Sequence, residues 1–223
     1  LKEADVTIQI KIVDQNNRHH FTDALHDMHR MRYRAAVQEM GWCIPGIADG
    51  YDRDAFDYPD TVYILYFNAD GSVGACARLN PTTRPHLLSD VFSDICEDGV
   101  PKSSSIYHYS RYLIERRGKT QMEFMRAWMF ISQAVNEWCV ANNVRQVSWL
   151  AVERMYKTGI TLWKTVPLGL PKFYEDDQKT YIAALSTMDA ESLRKVQRYT
   201  RTESPIADRF APMVSDIRMS VSA

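Results

Sequence analysis

One run constrains this chain more than any other: IYHYSRYLIERRGKT at residues 106–120. Aromatic and aliphatic side chains dominate its first part, which reads as a buried strand, and a basic, glycine-containing turn leads from it into a helix. His108 and Arg111 interrupt the apolar run. Burying an unpartnered polar group costs about 2–7 kcal/mol and a bare charge more, so a fold that buries this strand must bring partners to both.

The rest of the chain supplies alternating elements. Residues 6–13 (VTIQIKIV) alternate apolar and polar side chains and predict a half-buried strand, closed by Asp14 to Asn17. Residues 19–40 predict a helix with Phe21, Leu25, Met28, Met31 and Ala35 on one side. Residues 41–60 carry Pro45, Gly46, Gly50 and Pro59 without periodicity and read as a long surface loop of the kind that binds ligands. Runs at 61–67 and 72–79, split by Asn-Ala-Asp-Gly, predict an antiparallel hairpin. Residues 87–95 predict a short helix, and 120–141 a long one opened by a Thr120/Glu123 capping box. Strands follow at 144–152, 162–166 and 181–185. A short helix at 153–158 is expected to stop at Gly159, Asp189 should cap a helix to about Thr200, and the last twenty or so residues look loosely ordered. The element order predicts a single α/β domain over residues 1–223, its core at about 6–200, with helices on both faces of the sheet.

Composition narrows the function classes. With 45% hydrophobic and 25% charged residues the sequence is an ordinary globular one. Its apolar runs fall short of the roughly 20 residues a membrane span needs and no signal-like segment opens it, so a cytoplasmic location is expected. Four cysteines lack a C-x-x-C spacing and are read as reduced thiols. A net charge of −1 leaves any acidic partner to a local basic patch. His26 and His29 share a helix face but have no third ligand, so a metal site is not expected. Zinc-hydrolase, serine-hydrolase and P-loop motifs are absent from the sequence.

Three clusters carry candidate chemistry. Arg32, Trp42, Asp54 and Asp57 form the first; the two carboxylates either cap a turn or clamp a cationic ligand. Arg78, interrupting a hairpin strand before LNPTTRP, either pairs with Asp54 or Asp57 or meets a ligand directly. The third is the opening run, where Arg116, Arg117, Gly118 and Lys119 precede a helix N-terminus that favours an anion.

In their order along the chain, these clusters resemble the acyl-homoserine-lactone synthase family, which makes quorum-sensing autoinducers on an N-acetyltransferase-like (GNAT) fold with a twisted mixed sheet. The resemblance spans about residues 20–185. Arg32 matches the family's helix arginine, Trp42 its tryptophan, Asp54 and Asp57 its paired acids, Arg78 its R-L-x-P-T segment, and Ser110-Arg111 its S-R pair. Two positions depart: Ala36 stands where an aromatic is usual, which passes one ligand wall to Tyr33 or Trp42, and His108 replaces an acid to which a base role is attributed.

The resemblance implies an acyltransferase that moves a fatty acyl group from acyl carrier protein, or acyl-CoA, to the amine of S-adenosylmethionine. Lactonisation then releases methylthioadenosine; S-adenosylmethionine is a cosubstrate and no prosthetic group is implied. His108 would act as base or position a basic water, since imidazole titrates near 6.5. Arg32, Arg111, Asp54 and Asp57 would bind or organise the charged cosubstrate, and backbone amides at 106–112 would receive the oxyanion. In VSWLAVERM, Trp149 beside Ser148 falls where a small hydroxyl residue accompanies 3-oxo chains, so it either points to an unsubstituted or otherwise unusual chain or packs the core. Arg154, Lys157, Lys164 and Lys172 would receive an acidic carrier protein, and Arg117, Gly118 and Lys119 a phosphate or pantetheine group. Two other readings stay open: an N-acyltransferase that never lactonises, and a catalytically silent ligand-binding relative.

Overall fold

The structure, a computed structural model, describes residues 9–42, 44, 47, 50–176, 178–202 and 205–208. The chain runs β1 (Gln9–Val13), α1 (Thr22–Tyr33), β2 (Val62–Phe67), β3 (Val73–Pro81), α2 (Leu87–Asp90), β4 (Ile106–Ile114) and α3 (Gln121–Ala141). It continues through β5 (Gln146–Val152), α4 (Glu153–Leu162), β6 (Thr165–Pro167), β7 (Lys172–Tyr174), β8 (Lys179–Thr187), α5 (Ala190–Thr200) and β9 (Ala207–Asp208).

Among the described residues these strands make one mixed sheet in the order β6-β8-β5-β4-β3-β2-β1-β9, with β7 also paired to β8. Strands β4 and β5 run parallel, as do β1 and β9, and the other pairs are antiparallel. Alternation along each strand sends side chains to two different cores. Val62 and Ile64 join α3 residues such as Ile131, Ala134 and Val135, whereas Tyr63, Leu65 and Phe67 join Met28, Met31 and Ala35 around α1. A third cluster, around Leu88, Ile95, Tyr181 and Ala183, extends the packing beside α2. Helices therefore cover both faces, as expected.

The Thr120/Glu123 capping box opens α3, and Asp189 caps α5 through the Ser192 amide. Several boundaries differ from expectation. The first helical run is broken into a 3₁₀ turn at Arg18–His20, α1, and a π-helical stretch at Arg34–Glu39. Likewise 87–95 divides into α2 and a 3₁₀ turn at Ser93–Ile95. Helix α4 does not stop at Gly159 but continues to Leu162, because the missing side chain is what lets the helix lie on Trp149: a Cβ there would sit 2.8 Å from the indole ring. The strand expected at 162–166 shrinks to β6, since Leu162 and Trp163 turn into the core. The sequence reading missed β7 and β9. Of the tail expected to be loosely ordered, Ala207 and Asp208 pair with β1, and Lys11 holds Asp208 at 2.9 Å. Residues 6–8, Cys43 and 209–223 lie outside the described residues. Cys76, Cys96 and Cys139 are buried free thiols. Among the described residues no helix is long and apolar enough to cross a membrane.

Candidate active site

The loop between α1 and β2 turns three aspartates inward onto three arginines, each from a different element. Arg32, in the last turn of α1, donates through Nε and Nη2 to Asp52 at 3.2 and 2.9 Å and through Nη1 and Nη2 to Asp57 at 2.8 and 3.2 Å. From β3, Arg78 reaches Asp54 at 2.5 Å, Asp57 at 3.0 Å and the Ser110 hydroxyl at 3.0 Å. From β4, Arg111 donates to Asp52 at 2.9 Å and pairs with Asp54 at 2.8 Å. The bidentate forks match guanidinium to carboxylate geometry. Both readings offered for Arg78 are thereby narrowed: it is a partner of Asp54 and Asp57, while its Nη2 remains without a partner.

Asp52, which the sequence reading passed over, is fully buried and bridges Arg32 to Arg111. Its only signal was the D-x-D spacing with Asp54. Loop backbone is pinned to match: the Asp52 amide donates to the His29 carbonyl at 3.0 Å, and His29 Nδ1 meets the Asp52 carbonyl at 2.7 Å. Tyr63 donates to Asp57 at 2.9 Å and Asn80 to the Phe56 carbonyl at 2.8 Å.

Burial alone would raise the Asp57 and Asp52 carboxyls, but the arginines beside them hold both below the usual range: Arg32 and Arg78 for Asp57, Arg32 and Arg111 for Asp52. Arg111 is lowered by burial and by the nearby Arg32. His29 is pushed down to about 4 by burial and by Arg32. The network is thus three cations against three anions with little room for a change of charge.

Strand β4 changes parity inside this site. Its register with β3 runs from Arg78 opposite Ser110 to Cys76 opposite Leu113, so Arg111 and Tyr112 together face Ala77. Arg111 adopts φ +48, a left-handed conformation costly for a side chain and typical of a bulge. Before the bulge Tyr109 faces α3; after it Tyr112 and Ile114 do, while Leu113 joins the α1 core. The extra residue is what places Arg111 on the same face as Ser110. Pairing of β4 with β5 also ends at Tyr109 opposite Trp149, after which β4 follows β3 and β5 follows β8. The two parallel strands part there.

His108 lies one step below this opening, 1% exposed. Its Nδ1 is 3.1 Å from the Ser148 hydroxyl, its ring stacks on His86, and its Nε2 has no partner. Burial first, then His86 and Arg78, hold it well below 6.5. Trp42, half-buried, packs beside the α1 core, which also holds Ala36, and its amide donates to the Ala36 carbonyl at 2.9 Å. Tyr33 is half-buried at the end of α1.

Trp149 lies on the opposite face from His108. Its Nε1 donates to the Ser186 hydroxyl at 2.8 Å and its ring stacks on Tyr156, so the core-packing role is real. The basic turn is engaged in part: the Arg116 and Arg117 amides donate to the Glu39 carboxylate at 2.9 and 3.0 Å, and Glu123 takes the Thr120 amide at 2.7 Å. Arg117 and Gly118 are exposed and Lys119 is half-buried. In the basic patch Lys157 pairs with Glu153 at 2.7 Å and Lys172 with Asp94 at 2.5 Å, while Arg154 and Lys164 are exposed.

Comparison with known proteins identifies the family. The autoinducer synthase family model matches residues 14–196. An acyl-homoserine-lactone synthase of Ralstonia nicotianae is 45% identical over 84 residues, a match spanning 36% of this chain and 41% of that protein. An isovaleryl-homoserine lactone synthase of Bradyrhizobium diazoefficiens is 32% identical over 177 residues, 75% of each. Among solved structures, the CoA-dependent acyl-homoserine lactone synthase BjaI with SAM and isopentyl-CoA superposes with a TM-score of 0.77 at 27% identity, covering 96% of this chain and 98% of that one. An N-acetyltransferase fold from Lactobacillus plantarum follows at a TM-score of 0.52 and 11% identity, 81% of this chain and 99% of that one, a likeness of fold alone. The chain belongs to the autoinducer synthase family, the acyl-homoserine-lactone synthases.

Proposed function

We propose that this chain acylates S-adenosylmethionine at the opening between β4 and β5, with His108 as base and an acyl-CoA thioester as donor. The observation that carries the reading is the pair of unpartnered buried atoms on the α1 face: Arg78 Nη2, a cationic donor, and His108 Nε2. With the ring proton directed at Ser148, Nε2 is an acceptor. Arg78 stands opposite Ser110 and His108 two residues before it, so they are diagonal neighbours, about 7–8 Å apart. A group that both donates and accepts fits between them, as an amine beside a carboxylate does, or the water that relays its proton.

The amine nitrogen attacks the thioester carbonyl, its proton passes to His108 directly or through that water, and the carbon–sulfur bond breaks to release the thiol. Backbone amides of β4 beyond Tyr109, where the pairing with β5 has ended, would receive the oxyanion. The cosubstrate carboxylate then attacks the carbon bearing the sulfonium, closing the lactone and releasing methylthioadenosine. Arg32, Arg111 and the aspartates shape the wall of this site rather than offering a free charge, since each is committed to the network.

Acyl-CoA is favoured over a carrier protein because half of the basic patch is internally compensated, and the related BjaI is a CoA-dependent enzyme. A short acyl group is favoured because Trp149, Tyr156 and Trp163 fill the α3 side of the opening. Methylthioadenosine release, followed with matched acyl chains on CoA and on carrier protein, tests both. At least a tenfold higher kcat/KM with short acyl-CoA is expected; equal or reversed values overturn the donor assignment. A His108→Ala enzyme with the wild-type rate across the pH range overturns the base.

A further inference from the structure

We infer that His86 is a positioning residue for His108, holding its imidazole in the one plane and tautomer that present Nε2 to the reacting amine. The inference rests on the reading of His108 as base, and it comes from how the two rings are built into the fold. Both are 1% exposed, with ring centroids 4.6 Å apart and planes inclined by 22°. The torsion that turns an imidazole about its Cβ–Cγ bond is broad and nearly two-fold. Ser148 anchors one atom of the His108 ring, at Nδ1, and one anchor does not fix a plane. A flat ring stacked on its face does.

His86 is itself held by the turn that follows it. Its amide donates to the Ser89 hydroxyl at 2.9 Å and to Asp90 Oδ2 at 3.1 Å, and its Nδ1 accepts from the Ser89 amide at 3.4 Å. Acceptance at Nδ1 leaves the ring proton on Nε2, so the supporting ring is neutral and of fixed tautomer. His86 follows LNPTTRP in sequence, which carries it from the end of β3 across the face of β4. A neutral, apolar-faced ring suits this place better than a charged one, because the positive charge of Arg78 already acts on His108.

The test compares His86→Phe, which keeps a flat ring, with His86→Leu, which keeps apolar volume without one. Steady-state methylthioadenosine release, urea midpoints and the ring-nitrogen resonances of His108 are measured for each. His86→Leu is expected to lower kcat at least tenfold with both KM values within twofold, and His86→Phe to recover to within threefold of the wild type. Adding His86→Leu to His108→Ala should slow that enzyme no further. The His108 proton should stay on Nδ1 in the wild type and His86→Phe and divide between the nitrogens in His86→Leu. Equal kcat for the Leu and Phe enzymes at equal urea midpoints overturns the inference, as does a single His108 tautomer in both. A His108→Ala enzyme at the wild-type rate instead removes the base reading, and the resonances still decide whether His86 sets the tautomer.

Discussion

The two faces of β4 meet the same problem, polar groups inside a close-packed sheet, with opposite solutions. On the α1 face most are charged and paired, Arg32, Arg78 and Arg111 against Asp52, Asp54 and Asp57, with Arg78 Nη2 and His108 Nε2 left over beside them. On the α3 face they are neutral and scattered through aromatic packing. Trp149 finds Ser186 and Tyr112 the Trp128 carbonyl, but Tyr109 Oη, Trp138 Nε1 and Trp163 Nε1 have no side-chain or backbone partner. The contrast teaches which interactions are replaceable. An apolar face tolerates loss of volume gradually, whereas a compensated ion network fails when one charge leaves, because the remaining charges stay buried without partners.

That asymmetry predicts the largest effect for Arg32→Ala. Arg32 is completely buried and contacts both Asp52 and Asp57. Removing it leaves three acids to share Arg78 and Arg111, one buried negative charge in excess, and breaking a buried pair by removing one partner costs about 3–5 kcal/mol. Acid should then soften the defect. In the wild type both carboxyls are depressed by their arginines, so their contribution is present above the ordinary carboxylate pKa and is lost as pH falls below it. In Arg32→Ala that depression is reduced, so the stability gap to wild type, read from urea titrations, should narrow as pH falls below 4. A gap that is small at neutral pH, or that widens in acid, would show that the network contributes less than its geometry implies.

A smaller effect of opposite logic is expected on the α3 face at Gly159→Ala. Helix propensity favours alanine by about 1 kcal/mol in a helix interior. Packing opposes it: a Cβ would stand 2.8 Å from Trp149, whose indole is fixed by Ser186 at the other end and cannot withdraw. Overpacking of this kind costs about 1–3 kcal/mol, so a net loss is expected. Gly159→Ala combined with Trp149→Phe should recover the loss, and a stabilised single variant would show that the indole is free to move.

The sequence made one face legible and left the other partly hidden. Charged intruders in apolar strands flagged Arg78, His108 and Arg111, and the need for partners pointed to the acids of the 41–60 loop. What it concealed is geometric. No residue pattern announces a bulge built on an arginine at φ +48, and without the bulge Arg111 belongs on the wrong face. Asp52 was passed over because nothing local distinguishes it from a solvated loop aspartate; only Arg32 and Arg111 arriving from distant elements bury it. Gly159 reads as a helix stop by propensity, yet a tertiary neighbour explains it. The same holds for Glu39, whose role depends on a turn nearly eighty residues away.

Glu39 gives the smallest expected effect and sharpens the comparison from outside the core. Its carboxylate sits at the C-terminal end of the π-helical stretch and accepts from the Arg116 and Arg117 amides, while neighbouring Arg34 is held by Glu115. Together these contacts tie α1's extension to the turn that leaves β4. Both donors are exposed to water, and exposed charge interactions contribute about 0–1 kcal/mol. Glu39→Ala should therefore change stability by less than about 1 kcal/mol. It would, however, uncover two adjacent amides beside Arg117 and Lys119, a grouping that attracts anions. Inorganic phosphate should shift the Arg116 and Arg117 amide resonances in Glu39→Ala and not in the wild type. Equal shifts in both would mean that Glu39 does not hold the turn. A large loss of stability instead would place this surface contact with the buried network rather than apart from it.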